Sequence, residues 1–269
     1  MIFLKSESEI KKMRVAAQLV SRTLAEVAKE IRPGVETGTL DRIAEDFIKK
    51  NNAHPAFKGY GPKDSPFPAT LCISVNEEVV HGIPGKRKLN EGDIVSIDCG
   101  VEKDGYFGDH AYTFSVGECS AEDKKLLRVT LESLYKGIDK AVHGNKIGDI
   151  GNAVQTHCEK HGFGVVRDLV GHGIGKDMHE DPSVPNYGKP NRGERLRTGM
   201  TLAIEPMITR GSWKVQTMDD KWTIKTADGS NAAHFEHDVV VREGEAEILS
   251  TFDYIAEITK NEILETSYG

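Results

Sequence analysis

The chain has 269 residues, 38% hydrophobic and 29% charged, an ordinary balance for a globular protein with enough apolar material for a sizeable core. Its formal net charge of -7 argues against nucleic acid as the main ligand, because gripping a phosphate backbone takes a basic surface. No stretch approaches the roughly 20 apolar residues of a membrane span, and the opening Met-Ile-Phe-Leu-Lys-Ser-Glu turns polar too soon for a signal peptide.

In chain order, Ile10, Met13, Ala17, Val20, Leu24, Val27 and Ile31 alternate spacings of three and four and predict a first helix with one apolar face. Ser6 or Ser8 can cap it, and Pro33 and Gly34 stop it. A second helix should open at Thr37 or Thr39 and bury Leu40, Ile43, Ala44 and Phe47. A strand-rich stretch follows from about Ala69 to Val116. Leu71–Val75 reads as one strand and Ile94–Val101 as another; Asp104-Gly105 is a hairpin turn signal, and Tyr106 to Val116 returns. The second half repeats the order. Ser120 and Asp123 resemble a capping box before a helix that buries Leu127, Leu131, Leu134 and Ile138, a shorter helix spans about Ile147 to His161, and strands begin at Phe163. Gly34, Gly38 and Leu40 fall on Gly144, Gly148 and Ile150 at a fixed offset of 110, suggesting two related halves in one domain. The four cysteines (Cys72, Cys99, Cys119, Cys158) are scattered without a CxxC pair, so reduced thiols in a cytoplasmic protein are expected.

Several acids sit where apolar residues belong. If Asp104-Gly105 is a two-residue turn, Lys103 faces Tyr106 and Asp109 faces Gly100; Asp98 then becomes a diagonal neighbour of Asp109 on one sheet face. Two such carboxylates repel unless a cation lies between them, and the alternative is a solvated sheet face. His172 and His179 lie in or beside the glycine-rich Gly171-His172-Gly173-Ile174-Gly175, where the backbone can approach a ligand closely. Glu205 in Leu202-Ala203-Ile204-Glu205-Pro206 and Glu236 in Phe235-Glu236-His237 again put acids into apolar runs. Four carboxylates and one imidazole suit Mn, Fe, Co or Zn and could bridge two divalent ions. His81, between Val80 and Gly82, is a further candidate; a plain turn histidine is the alternative. His234 shares a face with Glu236 and can line the site, whereas His54, His143, His157 and His161 read as surface residues and His110 alternates away from Asp109.

With these residues assembled, the sequence resembles the type I methionine aminopeptidases. The matching segments are Ser74-Val75-Asn76-Glu77, His81-Gly82-Ile83-Pro84, Gly92-Asp93-Ile94-Val95-Ser96-Ile97-Asp98, Asp104-Gly105-Tyr106-Phe107-Gly108-Asp109, Gly171–Gly175, Gly199–Pro206 and Phe235-Glu236-His237, in order along nearly the whole chain. The resemblance implies an α+β pita-bread fold: one catalytic domain over residues 1–269, with two pseudo-symmetric halves around a curved antiparallel sheet and helices on the outer face. It implies two divalent metal ions (Co, Mn, Fe, Zn or Ni) sharing a bridging hydroxide. Asp98 would chelate one, Asp109 and Glu236 would bridge both, and His172 and Glu205 would complete the other. His179 would stabilise the carbonyl oxygen, His81 would contact the scissile nitrogen and Glu205 would carry the proton. Tyr60, Phe67, Cys72 and Trp222 would line the methionine pocket. The reaction implied is removal of the initiator methionine, before a small second residue, from nascent chains met at the ribosome by a cytoplasmic monomer that binds neither nucleic acid nor membrane. The sequence departs from the pattern in a longer loop, Gly61–Pro66, and in Met178, where an aromatic residue often stands. Two rivals are a proline-specific peptidase or metal-free creatinase of the same fold, and a binding protein that lost its metals.

Overall fold

The computed structural model describes residues 1–259. Helix α1 (Glu7–Ala28) opens at Ser6, whose backbone N–H and Oγ donate to the Glu9 carboxylate at 2.9 and 2.8 Å. Its expected face is buried from Ile10 to Val27. The helix ends three residues before Ile31. Pro33 disfavours helical backbone at Arg32, and the N–H groups of Glu30 and Ile31 close tight turns on the carbonyls of Val27 and Ala28.

Helix α2 (Thr37–Lys50) differs from expectation at its start: the cap position is Glu36, with no side-chain bond, and neither threonine caps. The orphan N–H groups go to another strip of chain, Thr37 to the Arg87 carbonyl at 2.9 Å and Gly38 to that of Gly85 at 2.8 Å. The Thr37 hydroxyl accepts from the Gly85 N–H at 2.9 Å instead. Leu40, Ala44 and Ile48 are fully buried, while Ile43 and Phe47 are half-buried against the same core.

Strand Leu71–Val75 pairs with Ile94–Lys103, which turns at Asp104-Gly105 and pairs along its length with Tyr106–Ser115. Both turn residues have positive φ, 54° and 76°, as a two-residue hairpin requires. Lys103 therefore faces Tyr106 and Gly100 faces Asp109.

Helix α3 (Ala121–Ile138) is capped by Ser120, which accepts from the Asp123 N–H at 3.1 Å, and packs on helix α4 (Ile147–Lys160). The start of α4 copies that of α2 at the offset of 110. Gly34 and Gly144, at φ +90° and +92°, donate to the carbonyls of Leu89 and Leu196 at 2.7 and 3.0 Å. Ile147 and Gly148 donate to Glu194 and Arg192 at 3.0 and 2.9 Å, as Thr37 and Gly38 do to Arg87 and Gly85. The repeated glycines thus mark one docking device used twice.

A second antiparallel sheet runs Glu247–Ile248, His237–Val240, Thr201–Ile204, Gly171–Gly173 and Glu180–Val184 in spatial order. It meets the hairpin along a seam. Glu236 N–H donates to the Ala111 carbonyl at 3.0 Å, Asp109 N–H to the Asp238 carboxylate at 2.8 Å, and Thr113 Oγ1 to the His234 carbonyl at 2.7 Å. One continuous core runs from Leu19 of α1 through α3 to Ile255 of helix α5 (Asp253–Thr259).

Candidate metal centre

The hairpin and the second sheet open between them a pocket of about 260 Å³, the small end for a ligand site and the scale of one residue rather than a long segment. Eleven residues singled out in the sequence line it: Tyr60, Phe67, Cys72, His81, Asp98, Asp109, His172, His179, Glu205, Trp222 and Glu236; His234, expected there too, stands behind the lining beside Glu205 and Glu236. Asp98 and Asp109 come from adjacent hairpin strands, and their carboxyls lie within hydrogen-bonding reach. His172 sits on Gly171–Gly173, Glu205 follows Thr201–Ile204, and Glu236 lies between Ala232–His234 and His237–Val240.

The glycines around His172 are needed for contact. A Cβ at Gly173 would lie 2.7 and 2.9 Å from the Asp181 carbonyl carbon and the Glu180 oxygen. Gly100, opposite Asp109, leaves room for the Met178 and Phe57 side chains, which a Cβ there would meet at 2.7 Å. His172 Nδ1 donates to the Gly173 carbonyl at 2.9 Å, so its Nε2 lone pair faces the acids. That nitrogen is 3.8 Å from Asp109 and 3.7 Å from Glu205, too far for hydrogen bonds but placed to converge on a shared point.

The electrostatics ask for a cation. Burial pushes Asp98 up to about 7 and Glu205 to about 8, and raises Asp109 and Glu236 well above the usual carboxylate range; their neighbours' charges add to the rise at Asp98, Asp109 and Glu236. Burial also lowers His172 to about 3, so its imidazole is neutral. Asp98 Oδ1 and Glu236 Oε1 are buried with no hydrogen-bond partner. Asp109, His172 and Glu236 form one group whose donor atoms lie within 4.8 Å of one another; Glu205, His234 and Glu236 form a second. Hard oxygen donors, neutral imidazole and orphaned carboxylate oxygens all fit divalent metal ions.

Around the acids, Tyr60 hydroxyl and His179 Nδ1 are hydrogen-bonded at 2.6 Å, and the His179 ring stands 4.2 Å from that of His172. His81 holds a left-handed backbone, φ 58°, with its ring edge-on to Trp222 at 6.2 Å. Phe57, Phe67, Cys72 and Met178 form one apolar cluster that Trp222 packs against, so Met178 is buried beside the residues that line the pocket. The longer loop is tied to the same wall: Trp222 Nε1 donates to the Ser65 carbonyl at 3.1 Å.

Sequence reasoning missed Phe57, which lies in irregular chain with no periodicity, and Asp238, whose carboxylate accepts from Asp109. The signal for Asp238 was available, since it follows Glu236 by two residues on one extended strand face. His157 departs from expectation. It is half-buried and bonds Glu132 at 2.8 Å, and His161, also half-buried, donates to the His157 carbonyl at 2.9 Å; both lie near the end of α4, packed against α3.

Comparison with known proteins points to one enzyme family. The model of metallopeptidase family M24 matches residues 11–243. The chain is 55% identical over 251 residues to a methionine aminopeptidase of Clostridium acetobutylicum, covering 93% of this chain and 99% of that one. It is 52% identical to methionine aminopeptidase 1 of Bacillus subtilis over 250 residues, 93% of this chain and 99% of the relative. The crystal structure of a methionine aminopeptidase from Thermotoga maritima superposes with a TM-score of 0.90 at 48% identity, covering 93% of this chain and all (100%) of that one. A Bacillus anthracis Xaa-Pro dipeptidase shares the pita-bread fold alone, at TM-score 0.73 and 22% identity over 92% of this chain and 62% of its own.

Proposed function

The chain belongs to metallopeptidase family M24, and on that premise we propose that it removes N-terminal methionine from peptides and nascent proteins whose second residue is small. The supporting observation is the convergence of five donor side chains from four separate stretches on one buried, charge-starved pocket. Asp98, Asp109, His172, Glu205 and Glu236 would hold two divalent cations (Co, Mn, Fe, Zn or Ni), with Asp109 and Glu236 shared. When bound, such a pair lowers the pKa of a water toward about 7 and polarises a carbonyl.

The chain's own residues do the rest. A phenol hydroxyl donating into His179 Nδ1 leaves the proton on Nε2, where it serves a carbonyl oxygen as charge develops. His81 contacts the scissile nitrogen. Glu205 would take a proton and pass it to the leaving amine. Phe57, Phe67, Cys72, Met178 and Trp222 receive the flexible thioether and exclude water from it.

No helix of the described residues is long and apolar enough to cross a membrane. The proposed setting is the cytoplasm, acting on chains leaving the ribosome. The core that spans both halves supports one catalytic domain. Protein stripped by a chelator should release no methionine from Met-Gly-Met or Met-Ala-Ser, and Mn or Co should restore release. Asp109→Ala and Glu236→Ala should lose both bound metal and activity. Full turnover by metal-free protein, or preference for Gly-Pro, would refute this function.

A further inference from the structure

We propose that His234 gives the metal centre a second imidazole nitrogen beside that of His172, an inference that rests on the metal-centre reading above. His234 ends the strand Ala232–His234 at the seam and is 1% exposed. Its backbone is pinned at both atoms: its N–H donates to Thr113 Oγ1 at 2.9 Å, and its carbonyl accepts from that hydroxyl at 2.7 Å. The extended chain puts His234 on the same face as Glu236, while Phe235 points to the core, edge-on to Tyr112 at 5.0 Å.

Neither ring nitrogen has a hydrogen-bond partner among the described residues. A buried imidazole carries one N–H and one lone pair, and burying it unserved is costly. Nε2 stands 3.4 Å from Glu205 Oε2 without a hydrogen bond, and the donor atoms of Glu205, His234 and Glu236 lie within 4.8 Å of one another. This repeats the arrangement of Asp109, His172 and Glu236, and Glu236 belongs to both groups. His110 makes the contrast. Its Nε2 is unpartnered too, but its Nδ1 donates to the Glu236 carbonyl at 2.5 Å and its ring stacks on His237 and Phe252, away from the pocket.

The test uses the full chain loaded with Co(II). Metal-bound imidazoles give strongly shifted, exchangeable N–H proton resonances. Wild type should show two and H234Q one, since glutamine keeps a hydrogen-bond donor but loses the ring nitrogen. Calorimetric titration with Mn(II) should show one site weakened by at least ~10-fold in H234Q, consistent with the cost of disturbing a metal's coordination shell. One resonance in wild type, unchanged in H234Q, with equal Mn(II) affinity, would overturn the inference. No shifted resonance in wild type would overturn the metal centre itself, and this inference with it. Should H234Q fail to fold, histidine-labelled wild type loaded with Zn(II) decides by ¹⁵N shifts: two ring nitrogens moving on loading supports the proposal, and one refutes it.

Discussion

The Tyr60 hydroxyl is hydrogen-bonded to His179, so it probes how that imidazole is set. Tyr60→Phe keeps the ring in the wall and removes the proton donor to Nδ1. One such hydrogen bond contributes about 1–1.5 kcal/mol, so kcat on Met-Ala-Ser should fall ~10-fold with KM nearly unchanged. A change confined to KM would make Tyr60 a wall residue only. The donors were legible because each is an acid or imidazole lodged in an apolar or glycine-rich run. Asp98 stands between Ile97 and Cys99, and Glu205 follows Ile204. Phe57 was not legible, because aromatic residues in irregular chain carry no period that tells a pocket wall from a core.

Among the elements, the N-terminus of α1 makes a pH-dependent contribution. The Ser6 backbone N–H and hydroxyl hold Glu9 down at about 2, against an ordinary 4.5. A depressed carboxylate stabilises the fold above its unfolded value and loses that contribution as pH falls from 4.5 toward 2. Glu9 is only half-buried, so screening keeps the effect to about 1 kcal/mol or less, the size of a helix cap. Glu9→Gln should therefore lower the melting temperature at pH 7, with the gap from wild type closing near pH 2. The opening of α4 depends on close approach instead. A Cβ at Gly148 would lie 2.8 Å from the Arg192 carbonyl oxygen, so Gly148→Ala should cost about 1–3 kcal/mol in denaturant unfolding. The glycine matches at offset 110 were visible in the sequence. The strip that receives each helix, residues 85–89 and 192–196, was not, because backbone carbonyls leave no mark on composition. The expected threonine cap on α2 failed for the same reason, since the strip at residues 85–87 already serves those N–H groups.

For the whole molecule, the cluster of raised carboxylates makes the metal-free protein acid-loving. Asp98 and Glu205 bind protons in the fold up to about 7 and 8, whereas the unfolded chain releases them near 4. Their stabilisation is thus present below pH 4 and lost as pH rises through 7 to 8. Chelator-treated protein should melt at lower temperature at pH 8 than at pH 6, and metal at 100 times its Kd should restore about 2.7 kcal/mol. Metal affinity should itself fall with acidification, because each ion must displace those protons. A metal-free melting temperature that rises between pH 6 and 8 would contradict this account.

The seam gives the ions a mechanical office as well. Asp98 and Asp109 belong to the hairpin side, while His172, Glu205 and Glu236 belong to the other, so neither moiety owns a complete set of donors. Each proposed cation would be a rivet through two plates. Drawing the rivets should let amide protons of residues 109–113 and 234–238 exchange with deuterium faster, while the helices packed on the common core stay protected.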